Sequence, residues 1–239
     1  MTSTSLKQRV TTKILRQFGR PHGVPGRLVG WVMAHRASNR QRSLWVVSLL
    51  DVQPTDRVLE VGFGPGLAIA ELARLANQGH VYGIDHSDAM VRRTRKRNAA
   101  AIRTQRVTLL HTSVDRLPHF DKQLDAIVAV NSLGFWPNPT QQLSELRGLL
   151  RPGGRIALAS QPRCAGATAD TTARAGRELH DRLTQAGFTQ ARMETLPLAP
   201  PVACVLATNP AEEQQGLFRL RAVSPMSVVL LAGEPPRWR

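Results

Sequence analysis

The stretch VLEVGFGPG, Val58 to Gly66, decides the fold. An apolar run holding one acid, Glu60, reads as a strand, and three glycines spaced two apart end it. Gly62, Gly64 and Gly66 allow backbone angles closed to other residues and let a ligand approach with no Cβ in the way. A helix starting near Leu67 would turn its partially positive N-terminus toward the same point. Strand, tight loop and helix in that order form the ligand-binding start of an open α/β sheet, where ligands sit at the carboxyl ends of the strands. The dinucleotide fingerprint is GxGxxG with an acid about 20 residues on. Here the spacing is GxGxG, and Asp85 closes the next strand, HVYGID. A carboxylate at that place can accept both hydroxyls of a ribose. From this loop alone a nicotinamide dinucleotide, a flavin, a nucleoside-type methyl donor and a bare strand-to-helix turn all remain open.

Downstream the chain alternates strands and helices. LAIAELARLANQG reads as a helix closed by glycine, and a basic helix runs from Ser87 to about Arg103. RVTLLH and LDAIVAV (Leu124–Val130) are strands, followed by the helix NPTQQLSELRGLL, an RPGG turn and the strand RIALAS. A helix around Ala173–Ala186 precedes two last strands, TQARMETL and PVACVLAT. Strands separated by helices imply a mostly parallel sheet covered on both faces. Upstream, Leu6, Val10, Ile14 and Phe18 mark an amphipathic helix that GRPHGVPG (Gly19–Gly26) breaks, and another helix runs from Asn39 to Leu50. Three parts follow: a helical N-terminal cap over residues 1–50, an α/β domain over 51–208, and a Pro-rich extension over 209–239 with one candidate strand at SVVLLAG.

The chain has 239 residues, 42% of them apolar, enough for a substantial core. No apolar run reaches the ~18 residues of a membrane span, and the lack of an apolar h-region near the start argues against a secretory signal. Two cysteines, Cys164 and Cys204, make neither a metal cluster nor a disulfide scaffold, so a cytoplasmic location is expected. The net charge of +15 is unusual, and residues 1–50 hold nine Lys or Arg and no Asp or Glu. A nucleic-acid or acidic-membrane surface, a transit peptide and a solvated cationic helix all fit that distribution. Charge alone decides nothing here.

VLEVGFGPG, VYGIDHSDAMV, LPHFDKQLDAIVAVNSLGFW and LRGLLRPGGRIAL, in this order and spacing, resemble the class I S-adenosylmethionine-dependent methyltransferases of the methyltransferase type 11 kind. The resemblance covers residues 57–162 and implies a Rossmann-like, mostly parallel seven-stranded sheet with helices on both faces. It also implies S-adenosylmethionine as methyl donor and S-adenosylhomocysteine as product. Residue by residue, Glu60 would orient the methionine end of the donor. Gly62, Phe63, Gly64 and Gly66 would let it lie against the backbone, and Asp85 would hold the ribose. His86 would flank the adenine, where an apolar residue is commoner, and Val114 would offer a backbone N–H. Ser113 stands where the family commonly has Asp. Asn131 would face the reacting sulfur. The plain structural alternatives are an ion-paired strand-end acid for Glu60, a helix cap for Asp85 and a turn residue for Asn131.

Methyl transfer from a sulfonium is an in-line displacement that mainly needs alignment and exclusion of water. A general base is needed only where the acceptor must lose a proton first, so the sequence names no catalytic residue. Neither cysteine follows proline, against cytosine-C5 chemistry, and NSLGFW is not the motif of exocyclic-amine methylation. No carboxylate cluster suggests a metal. A small-molecule acceptor is favoured. RNA methylation through the basic surface and a non-catalytic binding module are the alternatives, the former weakened by sparse aromatics. Acceptor-pocket candidates are Phe135, Trp136, Gln161 and Arg163 on the sheet side and His22, Trp31 and His35 on the lid side. For the histidines and tryptophans, plain packing is the competing reading.

Overall fold

The computed structural model describes residues 37–164 and 166–211. His22, Trp31 and His35 lie outside them, as do the first amphipathic helix and nearly all of the C-terminal extension. Seven strands are described: β1 Arg57–Val61, β2 His80–Asp85, β3 Val107–His111, β4 Leu124–Val130, β5 Leu150–Ser160, β6 Thr189–Leu196 and β7 Val202–Thr208. They form one sheet in the order β3-β2-β1-β4-β5-β7-β6. β1 pairs in parallel with β2 on one side and β4 on the other, and only β7 runs antiparallel, between β5 and β6. The strand order reverses at β1, which puts the glycine loop at the switch point. The expected mostly parallel seven-stranded, Rossmann-like sheet is what the chain forms.

Each central strand is apolar at consecutive positions because both faces are covered. Val58, Ala126, Val128 and Ala157 join a core with α1 (Ala37–Leu49), α2 (Leu67–Leu75) and α3 (Asp88–Arg97). Leu59, Ile127, Ile156 and Leu158 join the other, with α5 (Pro139–Leu149) and α6 (Ala169–Gln185). Each such buried aliphatic side chain contributes roughly 2 kcal/mol. The helix grouped by sequence with the N-terminal cap therefore shares the core of the sheet, since Val46, Val47 and Leu50 are buried against Val58 and Ile69.

Three element boundaries differ from expectation. The basic helix from Ser87 divides into α3 and a short α4 (Ala99–Arg103). Buried Asn98 sits at the break and turns its side-chain amide back to the Thr94 carbonyl, a local bond that competes with helix continuation. The RPGG turn is absorbed into β5 as an irregularity, with Leu124 opposite Leu150 and Ala126 opposite Arg155. Helix α6 starts earlier than Ala173, because Thr168 and Thr171 form a reciprocal capping box without the usual Glu or Gln.

Candidate active site

A cavity of about 820 Å³ opens at the carboxyl ends of β2, β1, β4 and β5. Its left-hand end, over β1 and β2, is built by the glycine loop. Gly62 and Gly66 have φ of +76° and +71°, and neither has room for a side chain. A Cβ on Gly62 would lie 2.5 Å from Ser132 Cβ, and one on Gly66 would lie 2.3 Å from Thr94 Cγ2. The same neighbours pin the loop. Ser132 donates its hydroxyl to Val61 O at 2.7 Å, and Thr94 donates to Gly64 O at 2.8 Å. Asp85 completes the clasp, its two oxygens accepting the backbone N–H groups of Gly64 and Ser87 at 2.8 Å each. Ser87 is the residue that caps α3. Asp85 thus ties the loop to the next helix, and its remaining lone pairs face the cavity it lines.

Glu60 is 3% exposed and lines the cavity. Among the described residues it has no arginine partner. Its carboxyl accepts the Ile69 N–H at the start of α2, while Oε2 is buried with no partner at all. Burial, reinforced by the nearby Asp85 charge, holds this carboxyl well above the usual carboxylate range. Burial also raises Asp85, against the opposing pull of its two backbone N–H bonds and of His86 and His111. Across the sheet, Asn131 follows β4 in the left-handed region at φ 55°. Its Oδ1 accepts the Gln161 N–H at 2.7 Å, and its buried Nδ2 has no partner. An unpartnered acceptor at Glu60 and an unpartnered donor at Asn131 flank the glycine loop, matching the ammonium and carboxylate of an amino-acid group. The residues present fit S-adenosylmethionine.

At the β2 edge, His86, Ser113 and Val114 line the cavity. The Ser113 hydroxyl bonds Asp115, so it is already engaged, and Val114 is buried. Phe135, expected on the acceptor side, stands with its ring centroid 6.5 Å from that of His86 and is 51% exposed. Its ring thus stands beside the residue expected at the adenine. Trp136 both lines the cavity and joins the core cluster that holds Leu143 and Leu179.

The right-hand end lies at β5. Gln161 receives Arg42 Nη1 on its Oε1 at 2.5 Å and donates Nε2 to Pro200 O at 2.8 Å. Arg42 Nη2 and Arg163 Nη2 both donate to Asn39 Oδ1, at 3.0 and 3.2 Å. Arg42 is 5% exposed, and burial with Arg163 repulsion pulls its pKa down to about 9. Ser38, Ser43, Glu178 and Arg182 complete this end. Arg42 carries no motif and is absent from the sequence-based candidates. A signal exists nonetheless: Asn39, Arg42, Ser43, Val46, Val47 and Leu50 form one buried helical stripe that turns polar toward the cavity.

This fold, with a glycine loop at the switch point and an acid ending β2, is that of the class I methyltransferases. A family model described as a methyltransferase domain matches residues 58–154. The chain is 29% identical over 185 residues to an uncharacterized methyltransferase, YdaC, of Bacillus subtilis (strain 168), covering 77% of this chain and 99% of that one. A demethylmenaquinone methyltransferase of Bacillus mycoides (strain KBAB4) is 28% identical over 56% of this chain and 59% of its own length. A SAM-dependent methyltransferase from Aquifex aeolicus superposes with a TM-score of 0.57 at 21% identity, covering 70% of this chain and 88% of that one. The domain match, the relatives and the structural neighbours together support a class I S-adenosylmethionine-dependent methyltransferase, a family that uses S-adenosylmethionine as its methyl donor. Among the described residues, no helix is long and apolar enough to cross a membrane.

Proposed function

We propose that the protein methylates a small-molecule acceptor held at the β4 and β5 end of the cavity. What carries this reading is the cavity itself. At about 820 Å³ it lies within the range of small-ligand sites, and it runs unbroken from Asp85 to Arg163 past Asn131. A relative named for demethylmenaquinone, a small acceptor, points the same way.

When bound, the donor supplies a methyl group on a positively charged sulfur, open to in-line displacement. The chain's own residues do the rest. Asp85 accepts from the ribose hydroxyls while fixing the loop. His86, Phe135 and the Val114 N–H bound the adenine, with Ser113 beside them. Gly62, Phe63, Gly64 and Gly66 carry the donor along the backbone. Glu60 and Asn131 hold the amino-acid end, and Asn131, at the midpoint, sets the line between sulfur and acceptor. Gln161 fixes Asn131 through its N–H and so shapes the acceptor side. Ser38 lines the cavity, and the cap expected over residues 1–50 lies outside the described residues up to residue 36. Removing residues 1–25 should then weaken donor affinity and turnover.

The test is transfer of labelled methyl into cell extract, with the extract split by size and treated or not with nuclease. Label in filterable, nuclease-resistant material is expected. Label confined to nuclease-sensitive polymer would replace this reading with RNA methylation. S-adenosylhomocysteine binding without any transfer would leave a binding module.

A further inference from the structure

The two ends of the cavity carry opposite charge. Glu60 and Asp85 lie at β1 and β2, suited to a donor with a cationic sulfur and ammonium. Arg42 and Arg163 lie at β5, two strands away, and both line the cavity. The partners of the Arg42 guanidinium, Gln161 Oε1 and Asn39 Oδ1, are neutral, and among the described residues its buried Nε has no partner. Glu178, the acid lining this end, is held by Arg182 at 2.6 Å. Residues 1–36 contain no Asp or Glu, and the acids outside the described residues are Glu212, Glu213 and Glu234 of the C-terminal extension. A guanidinium buried beside a second one, with amide oxygens alone for company, has an unmet demand for negative charge. Its lowered pKa, caused by burial and by Arg163, expresses the same demand.

The amino-acid carboxylate of the donor is served elsewhere. The orphan Asn131 Nδ2 and the N–H groups of the glycine loop lie nearer the donor's end of the sheet. We propose that the acceptor carries an anionic oxygen group, a carboxylate or an ionised hydroxyl, and that Arg42 with Arg163 seats it at the β5 end of the cavity. This rests on the small-acceptor reading above. Asn39 and Gln161 hold the two guanidinia in place, and a planar fork aimed at an oxygen anion gives direction as well as attraction. Arg42 is then a determinant of acceptor specificity.

The experiment uses the full chain with labelled S-adenosylmethionine and a small-metabolite extract divided by anion exchange into anionic and neutral pools. Label is expected in the anionic pool. Arg42→Gln should reduce that transfer by about tenfold or more, the ordinary effect of losing a charged hydrogen bond. Arg42→Lys should restore part of it, and S-adenosylhomocysteine affinity should change by no more than about twofold. Label in the neutral pool with no effect of Arg42→Gln overturns the proposal. So does a tenfold loss of S-adenosylhomocysteine affinity with 5′-methylthioadenosine unaffected, which would assign Arg42 to the donor carboxylate. Arg163→Gln serves if Arg42→Gln does not fold, and the pool assignment needs no variant. Label in neither pool but in the polymer removed from the extract would instead overturn the small-acceptor reading and leave the guanidinium site to a phosphate backbone.

Discussion

The donor and acceptor ends of the cavity are built in opposite ways. The loop of the donor end is made of backbone and side chains from one contiguous stretch, residues 58–87, clasped by Thr94 and Ser132. The acceptor end gathers long side chains from α1, the segment after β5, α6 and the turn before β7. The first is rigid because its geometry admits nothing else, and the second is held only by side-chain bonds such as Arg42 to Gln161. Change at the first should destroy binding of any donor, whereas change at the second should redirect which acceptor is used.

The largest effect tests that rigidity. Gly66→Ala forces a left-handed residue against Thr94 and should cost about 3 kcal/mol in stability, with donor affinity lost. Thermal melting and calorimetry with S-adenosylhomocysteine measure both. A variant that keeps its Tm and its affinity would break the contrast.

Glu60→Gln separates binding from stability. Ionised Glu60 should attract the donor ammonium, so the variant should weaken S-adenosylhomocysteine by about tenfold to a hundredfold. Because burial raises the carboxyl in the folded protein, the folded state holds that proton more tightly than the unfolded one. Stability from this group is present at acid pH and is lost as pH rises from the ordinary carboxylate range toward the raised value. At neutral pH the ligand-free variant should therefore melt no lower than the parent, and above it if Glu60 is ionised there. The parent's affinity should rise with pH through the Glu60 titration, and the variant's should stay flat.

Asn131→Gly keeps the left-handed turn but removes both amide contacts. We expect turnover to fall by about tenfold, with a smaller loss in donor affinity, since this residue sits where the two ends meet. Smallest of all, Ser113→Ala should change S-adenosylhomocysteine affinity by less than about threefold, because that hydroxyl is already committed to Asp115.

The same contrast explains what could be read from sequence. The loop glycines, Glu60 and Asp85 are local in the chain, and their residue types state their geometry, so the donor end was legible with the strand order. Asn131 and Gln161 were legible as residues ending β4 and β5. Arg42 was not, because its meaning depends on a helix face reaching a strand end 119 residues away. Phe135 was placed with the acceptor for lack of any sequence signal that its ring would stand beside His86. Glu178 and Arg182 follow from how α6 lies along the antiparallel pair, which no local pattern encodes. The split at Asn98 and the Thr-based start of α6 were missed because each depends on a side-chain bond to nearby backbone.

The antiparallel run of β7 has a practical consequence. It carries the chain back to the start of β5, where Asn209 bonds Gly154 O and accepts from Gly153 N, and its side chain bonds the Leu150 and Arg151 carbonyls. That point lies about 20 Å of strand from Gln161. Chain entering at Ser38 starts on the mouth, while chain leaving after Asn209 starts at the base. A fluorophore attached at Asn209 would thus sit at the base, away from the opening, whereas one attached at Ser38 would sense who comes and goes.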